Sequence, residues 1–94
     1  MRITFDQKKS AENEEKRCLS FELVEKFQWT TALTGPDTRR DYGERRYIAI
    51  GFIDDRLHVL IYTKRGDALR VISLRRANKR EKRLYETQTK SIPD

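Results

Sequence analysis

An α+β domain is predicted, with helices at both ends of the chain and an antiparallel sheet between them. Three observations predict it. Helix formers and a three-residue apolar spacing fill the first segment, up to about residue 28. Strand-like runs with period-two alternation follow, separated by turn residues. A basic, helix-forming stretch then closes the chain. At 94 residues a single domain spanning 1–94 is expected. A domain of this size has no room for a deep cavity, so any site is expected on the surface or in a shallow groove.

The first helix is expected over about 6–18. Asp6 can cap it, and Gln7, Lys8, Lys9, Ala11, Glu12, Glu14, Glu15 and Lys16 favour it. A second helix is expected over about 20–28, with Ser20 as cap and Leu19 stapled to Val24. Phe21, Val24 and Phe27 mark its buried face. Thr30 to Thr34 reads as a short strand stopped by Gly35-Pro36-Asp37, and 35–44 as a mobile loop. Strand runs follow at Arg46–Ile53, Leu57–Lys64 and Ala68–Arg75, joined by tight hairpins at Asp54-Asp55-Arg56 and Arg65-Gly66-Asp67. The sheet, about 30–75, is therefore expected to be antiparallel with three or four strands.

Within the second run, Leu57, Val59, Ile61 and Thr63 point one way and His58, Leu60, Tyr62 and Lys64 the other. Strict alternation in the third run sets Arg70, Ile72 and Leu74 opposite Leu69, Val71, Ser73 and Arg75. Arg70 and Arg75 then share a face only if a bulge intervenes. One sheet face is expected to take the N-terminal helices, the other the last helix or a partner. That helix is expected over about 78–88, opened by a capping box of Asn78 and Glu81, with a frayed tail over 89–94.

Charge is unevenly placed. Residues 1–61 hold eleven basic and eleven acidic groups, which cancel. Residues 62–85 hold nine basic groups against Asp67 and Glu81. Such a concentration suits a polyanionic partner, and equally a solvated basic face. The lone Cys18 excludes an internal disulfide and fits a reducing cytoplasm. With one cysteine and one histidine, His58, a zinc site of usual composition is excluded and no cofactor is expected. The N-terminus lacks the apolar core of a signal peptide. The apolar stretch Tyr47–Ile53 is too short to cross a membrane.

What remains is arginine-rich acid–base chemistry on a nucleic-acid backbone. RNA cleaves through its own 2′-hydroxyl when a base takes the hydroxyl proton, cations steady the phosphorane and an acid protonates the leaving oxygen. Arginine suits the middle task because its planar fork matches phosphate. Arg65, Arg70, Arg75 and Arg45 or Arg46 are candidates for it, and Glu44, Glu81, Tyr85 and His58 for proton exchange. His58 reads first as a half-exposed strand residue and Tyr85 as an anchor of its helix, while Glu81 reads equally as a cap partner or salt bridge.

Several segments resemble the BrnT family of toxins. Asp6, Lys9 and Asn13 match its D-P-x-K-x-x-x-N opening. Lys16-Arg17-Cys18-Leu19-Ser20-Phe21-Glu22 resembles its K-H-G-V-S-F-E, and the stretch Gly43–Gly51 its G-E-x-R-x-x-x-I-G. Tyr62-Thr63-Lys64-Arg65, Arg70-Val71-Ile72-Ser73-Leu74-Arg75-Arg76-Ala77, Glu81 and Tyr85 follow its C-terminal signature. The resemblance implies a RelE-like ribonuclease toxin of a type II toxin–antitoxin pair, with two N-terminal helices, an antiparallel sheet and a C-terminal helix. It implies a ribbon-helix-helix antitoxin of the BrnA kind, which contacts operator DNA for the pair; a homodimer within the complex is one arrangement. No metal is implied.

Two departures stand out. Arg17-Cys18 replaces His-Gly, which removes either a reactive histidine or an easy turn; the turn reading is preferred. Leu74 replaces alanine, a packing change. On this reading Arg65 and Arg75 stabilise the phosphate, Glu44 or Glu81 is the base, and Tyr85 orients or acts as acid. Arg45, Arg70, Arg76 and Lys79 hold flanking phosphates. The site would be a groove between the last strand, the Arg65 turn and the C-terminal helix. The alternative is a basic binding module without catalysis.

Overall fold

The computed structural model describes residues 2–90. Its elements are β1 (Arg2–Thr4), α1 (Gln7–Arg17), a 3₁₀ helix (Phe21–Lys26), a 3₁₀ turn (Trp29–Thr31), β2 (Leu33–Pro36), β3 (Tyr47–Ile53), β4 (Arg56–Arg65), β5 (Ala68–Arg76) and α2 (Lys79–Lys90). The five strands form one sheet in the order β1-β5-β4-β3-β2.

The class is α+β, but the sheet is mixed rather than antiparallel. β1 adds to it in parallel, with Ile3 opposite Leu69. Three residues carry too little pattern to read as a strand, and tertiary pairing makes this one. The second N-terminal helix is a 3₁₀ helix, capped by Ser20, whose Oγ accepts from the Glu22 amide at 3.2 Å. Trp29–Thr31 turns instead of extending, so the strand starts at Leu33. It runs through Gly35 and Pro36, which β2 tolerates as an edge strand. At the C-terminus α2 continues through 89 and 90, so the expected tail does not begin there; 91–94 lie outside the described residues.

Local chemistry fixes the other boundaries, and Arg56 and Arg65, expected in the hairpin connectors, are paired strand residues. Asp6 caps α1 by accepting from the Lys8 and Lys9 amides. Both hairpins have two-residue turns, with left-handed Asp54 (φ 56°) and Gly66 (φ 61°). Cys18 ends α1 in the left-handed region at φ 59°, and its amide donates to the Glu14 carbonyl at 2.8 Å. Glycine adopts this conformation most easily. The cysteine therefore stands where the turn reading placed the need for glycine.

Two apolar clusters lie on the two sheet faces. Under the N-terminal helices, Phe21, Val24 and Phe27 pack with Leu60, Tyr62, Leu69, Val71 and Leu74. Gly51 allows this contact, because a β-carbon there would sit 2.7 Å from Phe27 Cζ. On the opposite face Ile50, Leu57, Val59 and Ile61 join Ala77 and Tyr85. Here α2 docks at one end: the Tyr85 ring meets Phe52 edge-on, and its hydroxyl donates to the Thr31 carbonyl at 2.8 Å.

The β4–β5 register slips once. Ile61 opposes Ser73 while Tyr62 opposes Val71, so Ile72 is an extra residue. Strict alternation is thereby corrected. Leu69, Val71 and Leu74 share the helix-covered face, and Arg70, Ser73 and Arg75 share the other.

Candidate active site

The bulge collects guanidinium groups on the face away from the N-terminal helices. Cross-strand neighbours point the same way, so rows can be read from the register. Thr4, Arg70 and Thr63 form one row; Ser73, Ile61 and Ile48 the next; Arg75, Val59 and Ile50 the third. Ile50, Val59 and Ile61 make a buried apolar floor, and charged groups frame it.

At the α2 end, Arg75 donates to both oxygens of Glu81, Nη1 to Oε1 at 2.8 Å and Nη2 to Oε2 at 2.7 Å. Glu81 also completes the capping box. Its Oε1 accepts from the Asn78 amide, and its own amide donates to Asn78 Oδ1, both at 2.8 Å. Arg75 holds the Glu81 carboxyl below its ordinary value of 4.5, with the Asn78 amide and the charge of Arg39 adding to the effect. Glu81 is thus ionised at neutral pH. The pair is partly open, with side chains 33% and 16% exposed. Two of the five arginine N–H groups serve Glu81 and one reaches the Arg76 carbonyl at 3.3 Å, so donors are left over.

A second group sits beyond the opposite end of the floor. Glu44 meets Arg46 at 3.3 Å and Arg65 at 3.6 Å. Each residue along a strand advances about 3.3 Å. Arg65 is six positions from Val59, which opposes Arg75, so the two ends are about 20 Å apart. The structure brings Glu81 to Arg75 and Glu44 to Arg65, but keeps the two pairs apart. The Arg65 turn and α2 lie at opposite ends of the hairpin, so the expected groove is a strip along it, not a single cleft.

The other expected residues are dispersed. Arg70 is half-buried between the ends. Arg45 is exposed, and its carbonyl accepts from Thr63 Oγ1 at 2.7 Å. Arg76 opposes His58, on the other side of the sheet from Arg75. Lys79 is exposed in the first turn of α2. Tyr85 is buried with its hydroxyl engaged at Thr31. His58 is buried rather than half-exposed, and its Nδ1–H donates to the Arg56 carbonyl at 2.8 Å. Burial holds that imidazole below its ordinary 6.5, so it is neutral at pH 7.

Sequence reasoning missed the loop over 37–46 as an ordered part of the site. Asp37 is buried at its root, and its amide donates to the Arg46 carbonyl at 2.8 Å, closing the loop. Its carboxylate accepts from Arg39 Nε at 2.8 Å, Arg39 Nη2 at 2.9 Å and the Tyr42 hydroxyl at 3.1 Å. These bonds hold the Asp37 carboxyl at about 2, below its ordinary 3.8. Arg46 stacks over the Tyr42 ring at 4.2 Å. An aspartate two residues before an arginine was the available signal, but it is common in exposed loops. Among the described residues, no three His, Cys, Asp or Glu side chains are grouped to hold a metal ion, and no helix is long and apolar enough to cross a membrane.

The structure is that of a small basic α+β protein with an arginine–carboxylate pair on an open sheet face. The chain belongs to the BrnT family of ribonuclease toxins of type II toxin–antitoxin systems, whose family model matches residues 5–81. Comparison with curated proteins gave no match. Membership implies an antitoxin partner, in accord with the C-terminal surplus of positive charge.

Proposed function

We propose that this protein cleaves RNA without metal, by transesterification through the 2′-hydroxyl, at the Arg75–Glu81 end of the open face. One observation carries the reading: the bidentate pair at 2.7 and 2.8 Å on the face that also holds Arg65 and Arg70. Ionised Glu81 takes the 2′-hydroxyl proton. The 2′-oxygen attacks phosphorus, and the unused donors of Arg75 stabilise charge on the phosphorane. The 5′-oxygen departs with a proton from solvent, leaving a 2′,3′-cyclic phosphate.

Tyr85 serves as a positioning residue, since its anchorage at Thr31 fixes α2 and with it Glu81. Glu44 and Arg65 are too distant for the same phosphate. They bind the strand further along, with Arg45 and Arg70; Arg76 and Lys79 attract it from the rim. An antitoxin of the BrnA ribbon-helix-helix kind covers this face, and the complex represses its own operon through the antitoxin's DNA contacts.

A non-catalytic binding module is the second reading. The first turns of α2 favour it: Lys79, Arg80, Lys82 and Arg83 are exposed where the helix dipole disfavours cations, and Leu84 is 48% exposed beside them. Incubating purified protein with RNA in excess EDTA separates the two. Fragments ending in 2′,3′-cyclic phosphate are expected; intact RNA would leave the binding module.

A further inference from the structure

Arg39 lies outside every residue assigned above, yet the loop is built around it. The Asp37 carboxylate is 1% exposed, while the Arg39 side chain is 64% exposed. A buried carboxylate thus grips the arginine from beneath through Nε and Nη2, and a tyrosine hydroxyl braces the carboxylate. The two bonds fix the guanidinium plane, and Nη1 takes no part in them. Ordering an arginine costs side-chain entropy, and here that loss is met before any ligand arrives. The loop closes on Arg46, which meets Glu44 beside Arg65, so it borders the open face.

We propose that Arg39 binds an RNA phosphate flanking the scissile one, and that Asp37 and Tyr42 are its positioning residues. The inference rests on the reading of this face as an RNA-cleaving site. Asp37 offsets most of the charge of Arg39, so the group offers a directed hydrogen bond rather than net positive charge. That suits holding a neighbouring phosphodiester in register better than steadying a phosphorane. Arg39 then holds a flanking phosphate from the loop while Arg75 grips the scissile one from the strand, and Glu81 Oε2, which accepts from Arg75 alone, keeps a lone pair for the ribose.

The test pairs two substrates, a dinucleoside monophosphate with one phosphodiester and a short RNA oligomer with phosphates on both sides of the scissile bond. Arg39→Gln keeps an amide donor for Asp37 and removes the exposed guanidinium. It is expected to lower kcat/KM on the oligomer about tenfold, and on the dinucleoside by less than about twofold. The double variant Asp37→Asn/Arg39→Gln removes the buried charge together with its partner and should show the same selective loss. An equal loss on both substrates, or none on either, overturns the proposal. Should the native protein cleave neither RNA, the cleavage reading fails. The inference is then tested by affinity for the same two RNAs, where a loss confined to the oligomer supports it and equal affinities overturn it.

Discussion

The two faces of the sheet differ in what their buried residues support. Under the N-terminal helices, Leu60, Leu69 and Leu74 are sealed by other apolar groups, and this face is core. On the other face a smaller apolar floor lies within a frame of arginines and glutamates, with α2 anchored at one end. Ions above an apolar floor interact more strongly than ions in open water, because the low-dielectric side screens them less. The difference teaches that the packed core and the arginine-rich surface are separated here, and that a single bulge at Ile72 puts Arg70 and Arg75 together on the latter. Without the extra residue, Arg70 and Arg75 would stand on opposite faces.

Two perturbations probe that separation. The larger concerns the open face. The Asp37 carboxyl lies at about 2 in the fold, below its ordinary 3.8. The folded state therefore binds fewer protons than the unfolded chain between those values. This contribution is fully present above about pH 4 and drains away as the pH falls toward 2, a loss of up to about 2 kcal/mol. Asp37→Asn should flatten that part of the acid unfolding curve, followed by circular dichroism. An unchanged acid limb would show that the loop adds nothing to stability.

The smaller effect concerns the helix-covered face. Cys18 holds a left-handed conformation that costs a side-chain-bearing residue about 1 kcal/mol. Cys18→Gly should raise stability by about that amount in chemical denaturation and leave cleavage unchanged. Loss of cleavage on this substitution would give the Arg17-Cys18 turn a chemical role that its geometry does not suggest.

Much of the covered face was legible in advance. Caps are local: Asp6, Ser20 and the Asn78–Glu81 box each satisfy backbone groups within three residues, so their spacing is diagnostic. Alternation in β4 was legible for the same reason. The rest depends on contacts distant in sequence. β1 exists because Arg2–Thr4 pairs with β5 in parallel, and nothing within three residues encodes that. The bulge arises from the fit of β5 against β4. The loop over 37–46 is rich in polar residues, which reads as mobility until the burial of Asp37 is known. In the candidate site, Glu81 and Arg75 were each legible as candidates, whereas their pairing and the distance separating them from Glu44 and Arg65 required the fold.

The most direct test compares two neighbours. Arg75 and Arg76 are adjacent arginines on β5 and stand on opposite faces. Arg75→Gln keeps an amide donor for Glu81, and Arg76→Gln makes the same chemical change across the sheet. Cleavage of RNA in excess EDTA, with folding checked by thermal melting, is expected to fall about a hundredfold for Arg75→Gln and to stay within a few-fold of the native rate for Arg76→Gln. Equal losses in the two variants would contradict the assignment of the chemistry to one face.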